Sequence, residues 1–268
     1  MINNLNHNGH LGSAGKRAAL VVAHPGHELM VHGWMEIAQP CVFVLTDGSG
    51  HSNQSRLAST TKILKQVKAQ PGGIYGRLTD ARAYAAIMNH DFDLFIGYAR
   101  ELGEVLVADE IDFVAGDAIE GYNPMHDVCR LVIDVAVAFA SRERGRPIAN
   151  FAFSLVDQSN VRPAVTPAKE LWLQLDDHAL ARKIAAAQGY AELAGEVIKA
   201  LGRGSVNEFG VERLYPANSH TNASCCDVPA FYEQYGEQQV AAGLYHQVLR
   251  YSDHMLPLAE ALEGCIVK

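Results

Sequence analysis

Apolar residues in this chain fall into short uncharged runs that alternate with longer stretches repeating every three or four positions. The first run, Ala18 to Ala23, lies between Lys16-Arg17 and Pro25-Gly26. It is too short for a helix and predicts a fully buried parallel strand. A helical pattern follows, with Met30, Val31, Trp34 and Ile37 on one face. Pro40 breaks the chain, and Cys41 to Leu45 predicts a second buried strand. Leu57, Ile63, Leu64 and Val67 mark a helix over 54–69, which Pro71-Gly72-Gly73 ends. Helices are predicted over 79–89 and 91–108. Ile111 to Ala115 reads as a third strand, Gly116 to Asp127 as a polar loop, Val128 to Ala140 as a helix and Pro147 to Leu155 as a fourth strand.

The rest of the pattern is mainly helical. Asp176 to Gly189 and Tyr190 to Leu201 are good helix formers, and 202–229 is a long loop rich in Asn, Ser, Gly and Pro. A last helix from about residue 231 carries Val240, Leu244, Val248, Tyr251 and Met255 at spacings of three and four, with a kink or restart at Pro257. Strands alternating with helices imply an α/β protein, a Rossmann-like parallel sheet flanked by helices with a helical C-terminal extension. Residues 1–16 lack periodicity and read as a flexible tail, in which His7 and His10 are a surface pair. Residues 17–205 form the main domain, and 206–268 form a loop and helical extension packed on it. The apolar stripe of the last helix must be covered, either by the domain's own sheet or by a second copy in a homo-oligomer.

Composition narrows the class. A 268-residue chain that is 49% apolar has enough for one full core. A formal net charge of -8 disfavours nucleic acid and anionic membranes as partners. The five cysteines form no CxxC motif and no disulfide framework; only Cys225 and Cys226 adjoin. Free thiols, no apolar segment near the N-terminus and no apolar run of 18 residues lead to the expectation of a cytoplasmic protein.

The candidate chemistry sits where the strands end. His24, Pro25, Gly26, His27 and Glu28 form a polar turn after the first strand, at the place where open α/β sheets bind ligands. His126 follows the third strand. Neighbouring parallel strands bring such turns together, and three imidazoles from two turns make an open three-ligand site of the catalytic zinc type. Thr46-Asp47-Gly48-Ser49-Gly50 ends the second strand with small residues that let a ligand approach the backbone. Neither turn carries GxGxxG, which argues against a dinucleotide.

Three stretches, Ala23-His24-Pro25-Gly26-His27-Glu28, Thr46-Asp47-Gly48 and Asn123-Pro124-Met125-His126, resemble the motifs of the PIG-L/LmbE-like family of zinc-dependent N-acetyl sugar deacetylases. The likeness runs from about residue 17 to 140. That family opens with Ala-His-Pro-Asp-Asp-Glu, in which the first aspartate is the general base and the second a metal ligand. Here Gly26 stands in place of the base and His27 in place of the ligand, while Met125 and Asn123 replace an aspartate and a histidine of the third motif. The resemblance implies a metal-dependent hydrolase that removes an N-acyl group from N-acetylated sugars or sugar-containing metabolites, with zinc or another divalent transition metal on His24, His27 and His126. It also implies that Tyr122 stabilises the oxyanion and that Arg56 faces substrate.

The missing base leaves alternatives open. Three neutral ligands keep the full dipositive charge on the metal, which brings the pKa of bound water down to about 7. A displaced carboxylate is the second route: Asp47 is best placed, with Asp127, Glu28 and Asp117 behind it. The third is a catalytically impaired metal- or sugar-binding homologue.

Overall fold

The computed structural model describes residues 16–155, 170–203, 209–217 and 229–265. The expected tail before Lys16, Cys225, Cys226 and most of the 202–229 loop lie outside the described residues.

Seven strands form one sheet: β1 (Arg17–Val22), β2 (Cys41–Thr46), β3 (Gln70–Leu78), β4 (Ile111–Asp117), β5 (Ala149–Phe153), β6 (Leu171–Gln174) and β7 (Val211–Pro216). Their order is β3-β2-β1-β4-β5-β7-β6. The first five run parallel; β7 pairs antiparallel with both β5 and β6. The α/β expectation holds, with flanking helices on both faces. The run 18–23 forms an interior strand of the sheet, between β2 and β4, because every position on both faces is apolar. Ala19, Val21 and Ala23 point into one core layer, and Leu20 and Val22 into the other. Each fully buried Val or Leu contributes about 1.5–3 kcal/mol relative to exposure.

The helices are α1 (His32–Ala38), α2 (Leu57–Val67), α3 (Asp80–Met88), α4 (Asp93–Ala108), α5 (Pro124–Glu143), α6 (Asp177–Gln188), α7 (Ala194–Arg203), α8 (Phe231–Ala241) and α9 (Leu256–Glu263). Among the described residues no helix is long and apolar enough to cross a membrane.

Three features differ from the sequence reading. Pro71-Gly72-Gly73 ends α2, but it does so by entering a strand. β3 lies at the sheet edge, where a proline removes no ladder bond that the sheet needs. Second, Leu171–Gln174 and Val211–Pro216 are strands in a region read as helices and loop. They are short and pair antiparallel at the far edge, so no long apolar run marks them. Third, the last helix is broken. α8 stops at Ala241, Gly243 turns the chain at φ 72°, and α9 restarts with Pro257 in its first turn. Met255, Leu258 and Leu262 are buried in the same core layer as α4 and α5, while Leu244 is exposed. The extension therefore packs on the domain's own core, and the expected stripe is not one face.

The order of strands fixes where a site can form. The chain leaves β1 toward β2 and β3, then returns on the other side of β1 as β4. Loops after β1 and β4 therefore diverge and leave a crevice at the carboxyl ends of these two strands, the topological switch point. The turn after β1 is also buttressed from the far edge. Glu212 of β7 accepts from the amides of Gly33 and Trp34 at 2.8 Å each, and from Lys183 Nζ at 3.0 Å, deep in the protein. Lys183 also donates to the Met30 carbonyl at 3.0 Å. The carboxylate thus sits against the positive end of α1 with its own counter-ion.

Candidate metal centre at the switch point

The turn after β1 is held in one shape. The Ala23 amide donates to Asp117 Oδ2 at 2.8 Å, and its carbonyl accepts from the Thr46 amide at 2.9 Å and the Thr46 hydroxyl at 3.1 Å. Gly26 turns the chain at φ 108° into a 3-10 helix, His27–Val31. A left-handed φ is cheap only for glycine. Glu28, fully buried, folds back to accept from the Gly26 amide at 2.7 Å. Burial pushes its carboxyl up to about 7, against hydrogen bonds and the nearby Arg56 charge.

His126 was expected in a loop, but it sits in the first turn of α5. Asn123 caps that helix by accepting from the Met125 amide at 2.8 Å, and Pro124 occupies its first position. Asp127 accepts from the Glu120 and Gly121 amides at 2.9 and 3.2 Å, so the loop from β4 to α5 folds on itself. Burial drives the Asp127 carboxyl up to about 7.

The structure brings His24, His27 and His126 together. Their ring centroids are 5.2, 5.5 and 4.6 Å apart, edge to face. Imidazoles bound at about 2.0–2.1 Å around a tetrahedral ion would place their centroids roughly 5 Å apart. Each Nδ1 looks toward a carboxylate. That of His27 lies 2.8 Å from Asp117 Oδ2, that of His24 3.1 Å from Asp80 Oδ1, and that of His126 3.9 Å from Glu120 Oε2. The tautomers follow. The Thr46 hydroxyl gives its proton to the Ala23 carbonyl, so at 2.7 Å from His24 Nδ1 it accepts. The proton is then on Nδ1, and Nε2 keeps its lone pair. His24 Nε2 is buried without a hydrogen-bond partner among the described residues. An orphaned, buried imidazole lone pair beside two further imidazoles fits a divalent metal by donor chemistry, and the carboxylates behind the rings are the partners such ligands use. Among the described residues no group of three or more His, Cys, Asp or Glu side chains is arranged so that it could hold a metal ion; the rings gather without their donor atoms converging.

Electrostatics favours a neutral His27 and ionised Asp117 and Asp80. Burial pushes His27 down to about 4, against the pull of Asp117. Burial alone would raise Asp117, but His27, His126 and the Ala23 amide outweigh it and hold the carboxyl below its usual range. Asp80 is likewise buried, yet His24 and the Gly50 amide keep it well below that range.

The other expected site residues lie around this trio. Asp47 Oδ1 accepts from the Ser49 amide at 2.9 Å and so caps the turn after β2. Arg56 Nε donates to the Gly48 carbonyl at 2.5 Å, and its own amide donates to the Asp47 carbonyl at 2.9 Å. Its guanidinium braces this turn. Tyr122 is 44% exposed, and its ring stacks on Phe231 at 4.7 Å.

Asp80 and Glu120 carry no weight in the sequence reading, and Thr46 enters it only as part of the Thr46-Asp47-Gly48 motif. Asp80 begins α3 directly after β3, so it too is a strand-end carboxylate; missing that strand hid it. Glu120 is six positions before His126, a spacing with no regular meaning in a loop.

No family profile matches the chain, and no curated protein matches it in sequence. Solved structures do match in shape. A zinc-inhibited form of teicoplanin deacetylase Orf2 aligns with TM-score 0.53 at 11% identity, covering 78% of this chain and 100% of that one. A deacetylase-bog complex from the teicoplanin biosynthesis pathway aligns with TM-score 0.50 at 12% identity over the same shares. At such identities the likeness is one of fold: this chain has the architecture of those deacetylases.

Proposed function

We propose that this chain hydrolyses an N-acyl group, an acetamide on a sugar or sugar-containing metabolite, at a divalent-metal centre held by His24, His27 and His126. The observation that carries the reading is the convergence of three imidazoles at the switch point, each with a carboxylate facing its Nδ1. The fold likeness to deacetylases and the motif resemblance support it. When bound, a divalent metal supplies Lewis acidity, which polarises an acyl carbonyl and makes water a better nucleophile near neutrality.

The chain's own groups do the rest. Asp117 stands 2.8 Å from His27 Nδ1 and would hold that ring with Nε2 as its remaining donor. Thr46 and Asp80 stand 2.7 and 3.1 Å from His24 Nδ1 and would restrain that ring in the same way. Glu120, too distant for a hydrogen bond, biases His126 by charge. Asp47 is assigned the proton transfer from water to the leaving amine; with Oδ1 on the Ser49 amide, Oδ2 is the oxygen that takes the proton. Tyr122, on the loop that leads into His126, is assigned to the acyl oxygen. Arg56 is assigned to substrate through the turn it braces.

One observation favours a second reading, a metal- or sugar-binding protein without turnover. The position of the family's base is closed as well as vacant: a Cβ on Gly26 would lie 2.4 Å from Leu193 Cδ1. Release of amine from a panel of N-acetyl sugars, measured on metal-loaded protein, separates the two. Turnover that falls sharply in Asp47→Asn while metal content stays supports the hydrolase. Saturable sugar binding with no amine release in any loaded sample supports the binding protein.

A further inference from the structure

A line of aromatic rings begins at Tyr122, whose hydroxyl the hydrolytic reading assigns to the acyl oxygen and whose ring face, with the rings beyond it, that reading leaves unused. Tyr122 stacks on Phe231 with centroids 4.7 Å apart and planes 10° apart. Phe231 lies 6.2 Å and 21° from Tyr235, and Tyr235 meets Tyr245 edge-on at 6.4 Å. Phe231 and Tyr235 are one helical turn apart on α8. The three near-parallel rings are 44%, 48% and 40% exposed. Burying such rings is normally favourable, so an exposed run of them marks a contact surface.

The run is built into the site. Tyr122 belongs to the loop between Asp117 and His126. The α8 end that carries Phe231 is fastened to the same loop, with the Tyr232 amide donating to the Gly121 carbonyl at 3.4 Å and the Tyr232 ring buried. The Tyr84 hydroxyl donates to Asn123, the cap of α5, at 3.0 Å, on the far end of the same loop. The run therefore starts on the loop that carries the chain from Asp117 to His126.

We infer that the Tyr122-Phe231-Tyr235 run is a stacking subsite for a neutral sugar ring attached to the acylated residue. The inference rests on the proposed function for what enters the crevice. The charge around the rings selects the class of ligand. α8 has no Lys or Arg; Glu233, Gln234, Glu237 and Gln238 flank the rings, and Arg250 is paired with Glu233 and Glu237. Among the described residues of α8 a phosphate or an anionic lipid surface finds no cation, and the neighbouring Arg250 is already paired. A pyranose offers polarised C–H groups to the ring faces and hydroxyls to the amides and carboxylates.

The test compares N-acetylglucosamine with its β-1,4-linked trimer by calorimetry on the metal-loaded full chain, and repeats it with Phe231→Ala and Tyr235→Ala. Aromatic contacts of this kind contribute about tenfold each in affinity. The trimer should bind about tenfold or more tighter than the monomer, and each variant should lose most of that preference while melting normally. Equal binding of the two sugars, or a preference kept in both variants, overturns the subsite. So does a concentration-dependent dimer that Tyr235→Ala dissolves, because the rings then serve a second copy. Turnover is read separately. Trimer preference without amine release upholds the subsite and sinks the hydrolase; amine release at equal efficiency from both sugars does the reverse.

Discussion

The two halves of the sheet make different kinds of contribution. From β3 to β5 the strands are parallel, and their ends supply His24, His27, Thr46, Asp80, Asp117 and Glu120. From β7 to β6 the strands are antiparallel, and no member of the trio or its carboxylates comes from them. What the C-terminal half supplies is support. Glu212 and Lys183 brace the chain between His27 and α1, Leu193 and Tyr190 fill the space beside Gly26, and Phe231 and Tyr232 back the β4-to-α5 loop. Chemistry arises where parallel strands end side by side; precision of those ends depends on packing from elsewhere in the chain.

Substitutions should separate the halves in order of size. Val21→Asp would leave an unpaired charge between two core layers in the central strand. Such a change costs several kcal/mol, comparable with a domain's whole margin of about 5–15 kcal/mol. We expect no soluble folded protein; a normally melting variant would mean that β1 is not central. Next comes the seam. Glu212→Ala removes one partner of a buried pair and two amide caps, with an expected loss of about 3–5 kcal/mol in urea unfolding. A loss under about 1 kcal/mol would break the idea that the far edge braces the first turn.

Gly26→Asp is a smaller but sharper case. It forces a left-handed φ on a side chain, about 1–2 kcal/mol, and drives its Cβ into Leu193, about 1–3 kcal/mol more. Melting should fall and amine release should not rise. Adding Leu193→Ala should recover part of the stability, since the two residues touch. A Gly26→Asp protein with unchanged melting and faster hydrolysis would show that the site never lost access to the family's base position.

The smallest effect concerns pH at the seam. Burial depresses the pKa of His32 below 6.5, with Glu36 and Glu212 opposing and Lys183 and Arg182 assisting. The folded state thus binds fewer protons than the unfolded one as pH falls below 6.5, so the stability tied to neutral His32 is present above 6.5 and lost through its folded pKa. Stability of His32→Phe relative to the parent should improve as pH falls below 6.5. Parallel curves would mean that His32 titrates alike in both states.

What could be read from the sequence follows the same division. Ala18 to Ala23 was legible because a strand buried on both faces must be apolar at every position. His24, His27 and His126 were legible because strand-end turns of a parallel sheet converge. β6 and β7 were not, since Trp172 and Tyr215 lie in short antiparallel strands where alternation has no room to repeat. Pro71 concealed β3, and with it the carboxylate of Asp80. Glu212 was invisible in principle: a lone glutamate in a short segment looks solvated until Lys183 and two helix amides are seen around it. Gly26 was legible as a departure from a motif, but the φ of 108° and Leu193 that make it necessary came only from the packing.

The most direct measurement is the metal content of purified protein by elemental analysis, for the parent and for His24→Ala, His27→Ala, His126→Ala and Asp117→Asn. The parent should hold close to one equivalent of a divalent transition metal, expected to be zinc. Each histidine variant should lose most of it while staying folded. Asp117→Asn should keep the site but weaken its affinity about 10–100-fold, as loss of a ligand's carboxylate partner does. A parent that stays metal-free after exposure to zinc, or a folded His126→Ala that keeps its metal, would contradict a centre built from the ends of β1 and β4.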